Sequence, residues 1–212
     1  MPYIHEPVAL PQLERITTDK GRVYVTPGGN KYPSITTVLE VLSRRDIQNW
    51  RKRIGSEEAN SISARAANRG TNLHTIIEHY LQNETVTPTI HFNIIKSELS
   101  RIGKIYAQEK SLWSDKYRVA GTTDCIAEFD GVLSVIDFKT AKGFKRKEWI
   151  EHYFIQATFY AEAWEELTGT PISNLVIMMA GDDGSKMVYT DDKEPYLDKL
   201  ITVIDLFNNE VR

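Results

Sequence analysis

The chain has 212 residues, 41% hydrophobic and 10% aromatic, and its 26 Lys+Arg against 29 Asp+Glu give a formal net charge of −3. That length and apolar content suffice for one substantial core with a helical appendage, and they exclude a disordered or low-complexity chain. The single cysteine, Cys125, excludes a disulfide framework and a cysteine-rich zinc site, and no apolar run approaches the roughly 18 residues of a membrane span. The opening MPYIHEPVALPQLER lacks the charged-then-apolar layout of a secretory signal, so a soluble cytoplasmic protein with no membrane partner is expected. Charge is uneven: residues 1–106 carry 14 Lys+Arg and 10 Asp+Glu, residues 107–212 carry 12 and 19. The first half is therefore the expected phosphate-facing part.

Residues 21–26, GRVYVT, read as a short strand stopped by the Gly/Pro-rich turn 27–33. Ser34 is a suitable N-cap for a helix with Ile35, Val38, Leu39 and Leu42 at helical spacing. Residues 46–69 are polar and helix-compatible, and include the basic residues Arg65 and Arg69. From Gly70, GTNLHTIIEHYLQ reads as an amphipathic helix with Leu73, Ile76, Ile77, Tyr80 and Leu81 as its stripe and His74 at its flank. A further helix is expected over roughly 91–111, with Ile94, Ile95, Leu99, Ile102, Ile105 and Tyr106 as apolar positions.

The next stretch, YRVAGTTDCIAEF-DG-VLSVIDFKTA, is the most informative. Asp130-Gly131 between two β-prone runs marks a hairpin, since both residues tolerate the positive φ of a type I′ turn. A two-residue loop there faces Phe129 with Val132, and continuing the register sets Asp124 opposite Asp137. Opposed residues hold their Cβ atoms about 5 Å apart on one face. Two buried carboxylates so placed repel unless a proton or cation lies between them, and a hard divalent ion with oxygen ligands would do so. Lys139 projects to the same face, opposite Thr122. Asp, Asp and Lys on one surface are the parts of a metal-assisted phosphodiester hydrolase.

Asp124 followed thirteen positions later by Asp137-Phe138-Lys139 resembles the signature of the PD-(D/E)XK nuclease superfamily. His74 upstream and Gln156-Ala157-Thr158-Phe159-Tyr160 downstream resemble the histidine and Q-x-x-x-Y motif of its RecB-like branch. GTTDCIAEFDGVLSVIDFKTAK and PSITTVL are most similar to the mitochondrial genome maintenance exonucleases and their phage relatives. The resemblance spans roughly residues 30–180. Thr123 stands where the superfamily name has Pro, and no mitochondrial transit pattern is evident, which favours a phage or bacterial source.

The resemblance implies an α/β restriction-endonuclease-like core, a mixed sheet flanked by helices, with an N-terminal helical part: residues 1–111 carrying His74 and basic helices, 112–212 the catalytic core, as one compact unit. It implies Mg²⁺ or Mn²⁺ held by His74, Asp124, Asp137 and the backbone carbonyl of Phe138. Lys139, Gln156 and Tyr160 would assist catalysis, with Glu109 in support behind the metal ligands. DNA, single-stranded or with a free end, is the expected partner, contacted by Arg65, Arg69 and the basic loop Lys142, Lys145, Arg146 and Lys147. The implied activity is a DNA exonuclease. An endonuclease or flap nuclease on the same core, or a non-catalytic DNA-binding protein, are the alternatives. No P-loop or nucleotide-binding glycine fingerprint occurs, so no nucleotide cofactor is expected.

Between hairpin and C-terminus the pattern predicts a helix over 148–168, a buried strand over 174–180, a turn at Asp182-Asp183, a strand over 185–190 and a closing helix over 196–207.

Overall fold

The structure, a computed structural model, describes residues 2–19 and 21–211. Three short strands come first, β1 (Glu14–Thr18), β2 (Gly21–Val25) and β3 (Lys31–Pro33), forming an antiparallel sheet of their own in that order. Four helices follow, α1 (Ile35–Leu39), α2 (Arg44–Ile54), α3 (Ser56–Leu81) and α4 (Ile90–Leu99). The main sheet is built from β4 (Ile102–Ser114), β5 (Val119–Phe129), β6 (Val132–Ala141), β7 (Asn174–Gly181) and β8 (Lys186–Asp192), hydrogen-bonded in chain order. Helix α5 (Glu151–Thr168) makes the crossover that lets β6 and β7 run parallel, and α6 (Leu197–Val211) closes the chain. All other pairs in the sheet are antiparallel. This is the mixed α/β architecture expected of a restriction-endonuclease-like core.

Strand alternation divides the core. Ile126, Val135 and Ile177 face a layer made by Phe154, Phe159 and Trp164 of α5, Leu200 and Val203 of α6, and Ile35 and Val38 of α1. Their neighbours Cys125, Ile136, Phe138, Val176 and Met178 face Leu73, Ile77 and Leu81 of α3 and Phe92, Ile95 and Leu99 of α4. Because β7 is covered on both sides, it is almost continuously apolar, and its parallel partner β6 is apolar except at Ser134, Asp137, Lys139 and Thr140. Each fully buried large apolar side chain stabilises this arrangement by about 1.5–3 kcal/mol. Against that background the buried Asp137, 1% exposed in the middle of β6, is the anomaly.

The hairpin forms as its turn dictates. Asp130 and Gly131 take φ of 50° and 81°, and the register runs from Phe129↔Val132 to Cys125↔Ile136. Ser34 caps α1 through its side chain, which accepts from the Thr37 amide. Two expectations are corrected. Gly70 does not open a helix but lies inside α3, which begins fourteen residues earlier at Ser56 and has Glu57 and Glu58 in its first turn. The helix expected over 91–111 ends at Leu99, and residues 102–114 form the longest strand of the sheet. Register shifts between Ile102, Ile105 and Ala107 break strict alternation there, so the apolar spacing imitates a helix. The boundary expected at 111/112 falls inside this strand.

Strand β4 is an edge, and the N-terminal segment lies along it. The Glu6 and Val8 amides donate to the Ile105 and Tyr106 carbonyls at 2.9 and 3.0 Å, and the Ile105 amide donates back to Ile4 at 2.9 Å. Among the described residues no helix is long and apolar enough to cross a membrane.

Candidate active site

The catalytic and metal-binding residues singled out in the sequence, His74, Glu109, Asp124, Asp137, Lys139, Gln156 and Tyr160, come from five different elements, α3, β4, β5, β6 and α5. Asp124 sits where β5 and β6 part. The ladder ends at Cys125↔Ile136, and beyond it the Asp124 Oδ2 accepts a hydrogen bond from the Phe138 amide at 2.8 Å. This side-chain bond replaces the next rung and locks the carboxylate in place. Asp124 Oδ1 is left to face His74 Nδ1 of α3 at 3.4 Å.

Glu109 of β4 enters from the other side, its Oε1 3.6 Å from the same nitrogen. It falls between the paired positions Gln108↔Cys125 and Lys110↔Thr123, which sets it beside Asp124. Its φ of 44° is strained for a side chain other than glycine or asparagine, and strain of this kind collects at functional sites. One ligating atom each from His74, Glu109 and Asp124 lies within 4.8 Å of the others.

His74 Nε2 lies 2.8 Å from the Phe138 carbonyl, which can only accept, so the nitrogen carries a proton and donates it. In the neutral ring the lone pair is then on Nδ1, aimed between the two carboxylates. Burial disfavours the imidazolium, but Asp124 and the hydrogen bond with Glu109 outweigh it and lift the His74 pKa to about 9. The carbonyl of Phe138, expected as a ligand, accepts this hydrogen bond from the histidine.

Asp137 is more enclosed. Its Oδ1 accepts from Lys139 Nζ at 2.6 Å, while Oδ2 is buried with no hydrogen-bond partner. Burial raises this carboxyl to about 6 against the pull of Lys139, with Asp124 adding to the rise. Burial also works against the charge on Lys139, but Asp137 and Asp124 together hold the ammonium above its usual value. Lys139 is therefore a fixed cation and not a proton acceptor at neutral pH. The imidazole nitrogen and two carboxylates of His74, Glu109 and Asp124 fit a hard divalent cation, whose preferred donors are oxygen and nitrogen, while Asp137, expected among the ligands, lies outside that group of three with its Oδ2 buried and unpartnered.

On α5, one turn apart, Gln156 Nε2 donates to the Tyr160 hydroxyl at 3.3 Å, and both side chains line the same cleft as Lys139 and Asp124. Gly121 makes this possible: a Cβ there would stand 2.9 Å from Tyr160 Cε1 and 3.0 Å from Ile35 Cγ2.

The family model of the PD-(D/E)XK nuclease superfamily matches residues 72–205, more than half of the chain and all of the elements just described except β1–β3 and the first helices. The chain belongs to this superfamily. It is 26% identical over 146 residues to human mitochondrial genome maintenance exonuclease 1, a match covering 61% of this chain and 40% of that protein. The chain thus spans less than half the length of this curated relative. Among solved structures, a candidate exonuclease from Eubacterium rectale aligns over 65% of this chain and 64% of that one, at 14% identity and a TM-score of 0.38.

For a PD-(D/E)XK protein the basic residues read from the sequence are scattered. Arg69 is committed to Asp182 at 2.9 Å, which His91 also holds at 2.8 Å, and this ties α3 and α4 to the β7–β8 turn. Arg65 is exposed, nine residues and two and a half helical turns before His74, on the opposite face. In the loop after β6, Lys147 pairs with Asp191 at 2.7 Å and Arg146 lies over the Trp149 ring, while Lys142 and Lys145 are exposed. None of these lines the cleft over Asp124. Asp183 is a turn former, accepting from Ser185 and Phe144 amides.

The cleft, about 220 Å³, is instead walled by residues to which the sequence assigned no site role: Arg15 of β1, Arg22 and Tyr24 of β2, the N-cap Ser34 and Thr36 at the start of α1. Their one local signal was the alternation in GRVYVT, which put Arg22 and Tyr24 on a common face.

Proposed function

We propose that the chain is a divalent-metal-dependent DNA exonuclease that prefers single-stranded DNA and hydrolyses phosphodiester bonds. The observation that carries the proposal is the convergence of His74, Glu109 and Asp124 beside the buried Asp137–Lys139 pair. The relative's name supports the exonuclease assignment, and the resemblance of the hairpin sequence supports the single-strand preference.

In this reading His74 Nδ1, Glu109 and Asp124 would hold Mg²⁺ or Mn²⁺, with the free oxygen of Asp137 available to complete the set. When bound, such an ion polarises a phosphoryl oxygen and lowers the pKa of water. The chain's own groups do the rest. Lys139 places a fixed positive charge where the phosphate gains negative charge in the transition state. Asp124, pinned by the Phe138 amide, and His74, pinned by the Phe138 carbonyl, are preorganised by the two backbone groups of one residue. Gln156 and Tyr160 close the α5 side of the cleft and can donate to a phosphate oxygen.

The test is incubation of the purified protein with end-labelled single- and double-stranded oligonucleotides in Mg²⁺, Mn²⁺ or EDTA, alongside Asp137→Ala. Shortening of the single strand only with metal, and none by the variant, is the expected result. Binding without cleavage under either metal would overturn it in favour of a non-catalytic DNA-binding protein. Cutting of a covalently closed circular single strand would make the enzyme an endonuclease.

A further inference from the structure

The nuclease chemistry leaves the small sheet β1–β3 without a task, yet one of its faces is built toward the catalytic strands. Arg15↔Tyr24 and Thr17↔Arg22 are opposed pairs, so Arg15 and Arg22 are diagonal neighbours on the face that carries Tyr24. Tyr24 anchors this face to β5 by a 3.0 Å hydrogen bond between its hydroxyl and Thr122. Both arginines line the cleft over His74, Glu109 and Asp124. Both also line a second, adjoining cleft of about 470 Å³ against Gly70, Thr71 and Thr75 of α3.

Elsewhere among the described residues Arg44, Arg69 and Arg101 are each committed to a carboxylate, while the exposed Arg45, Arg53, Arg65 and Arg118 have no ion pair and line neither cleft. Among the described residues Arg15 and Arg22 have no ion-pair partner, although Glu78 and Glu109 line the same cleft. Two exposed guanidinium groups on one face repel each other, and an anion between them removes that repulsion. The planar fork of arginine matches the paired oxygens of a phosphate.

We infer that Arg15 and Arg22 form a phosphate clamp that holds the polynucleotide strand next to the scissile bond, in a path running between β1–β2 and α3. The inference rests on the nuclease reading for its ligand, the phosphodiester backbone of a single strand. Gly70 and the small side chains Thr71 and Thr75 give that path a wall without bulk on the helix side. The acidic residues of the metal site and the basic residues of the clamp thereby divide the work. One set holds cations and the other holds the anion that the cations act upon.

The test is equilibrium binding of a fluorescent single-stranded oligonucleotide in EDTA across a salt series, for wild type, Arg15→Gln, Arg22→Gln, the double variant and Lys31→Gln. Lys31 is an exposed lysine of the same sheet that lines neither cleft, and serves as the control for charge alone. The double variant is expected to bind about tenfold or more weakly, with the slope of log K against log salt reduced by about 1.4, the value for two phosphates on a single strand. An unchanged slope in the double variant, or an equal loss in Lys31→Gln, overturns the clamp. So does full competition by a deoxynucleoside monophosphate at the oligonucleotide's own concentration, which would make this a product site. Should the double variant melt at a lower temperature than wild type, Arg15→Lys and Arg22→Lys decide, since they keep the charge and lose the fork. Cleavage by wild type with Mn²⁺, run in parallel, separates the two readings. Cutting with unchanged slopes sinks the clamp alone, and altered slopes without cutting sink the nuclease reading alone.

Discussion

Lys139 and Asp137, two residues apart on β6, share one face of the strand and meet at 2.6 Å, with the carboxylate 1% exposed. A lone buried charge is far worse than a buried pair, so removing one partner should hurt more than removing both. In EDTA at neutral pH, Lys139→Met should lower unfolding stability by about 3 kcal/mol. Asp137→Asn with Lys139→Met should recover most of that loss in a urea titration while staying inactive. If the single variant is as stable as the double, the pair is not the electrostatic unit described.

Glu109 separates strain from chemistry. Its φ of 44° disfavours any side chain, so Glu109→Gly should be more stable than Glu109→Ala by about 1 kcal/mol. Both should lose metal affinity together, along with Glu109→Gln, by about tenfold or more as read by Mn²⁺ calorimetry. A Glu109→Gln protein with wild-type affinity would remove Glu109 from the ligand set.

Gly121 makes room for Tyr160. Gly121→Ala must push the tyrosine ring or Ile35 aside, and should destabilise by about 1–3 kcal/mol. Adding Tyr160→Leu should return part of the stability and none of the activity. Wild-type turnover in Gly121→Ala would show that the position of Tyr160 is irrelevant to the chemistry.

Lys193 anchors the segment after β8 to α5 through Glu162 at 2.7 Å and Glu165 at 2.9 Å. Burial works against the Glu162 carboxylate, but Lys193 and the Tyr117 hydroxyl hold its pKa below the ordinary 4.5. A carboxyl depressed in the folded state contributes stability that is complete above 4.5 and is lost as pH falls through the folded value. Glu162→Gln should therefore be less stable than wild type at pH 7 by about 1.5 kcal/mol, with the gap closing in melts run below pH 4. A gap that persists at pH 3 would assign the loss to packing.

The hairpin was legible because its signals are local. Asp130-Gly131 fixes the turn and the turn fixes the register as far as Cys125↔Ile136; the expected Asp124–Asp137 rung is not formed, because the Asp124 side chain takes the Phe138 amide there. Glu109 was legible only as support behind the ligands, and Arg15 and Arg22 were hidden for the opposite reason: their small sheet reaches the cleft through contacts remote in sequence, such as the Tyr24 hydroxyl on Thr122. Strand β1, ERITT, has no apolar alternation at all, since its faces are a cleft and solvent. The helix misread over 102–111 came from a bulged strand whose apolar residues fall three and two apart. The long α3 was only half visible because its first four turns bury little beyond Ala59.

Residues 4–8, laid along the first half of β4, touch no group that does chemistry, yet they occupy the Ile105 amide and the Ile105 and Tyr106 carbonyls that an edge strand would otherwise offer to another chain. Removing them should leave the charges and the cleft in place and create a template for strand exchange, so the shortened protein would pair with its own copies before it lost its fold. The same seam makes the amino end an unsuitable place to fuse a tag that pulls the strand away. A stretch of five residues that a search for catalytic groups would pass over thus guards the part of the β4 edge at Ile105 and Tyr106.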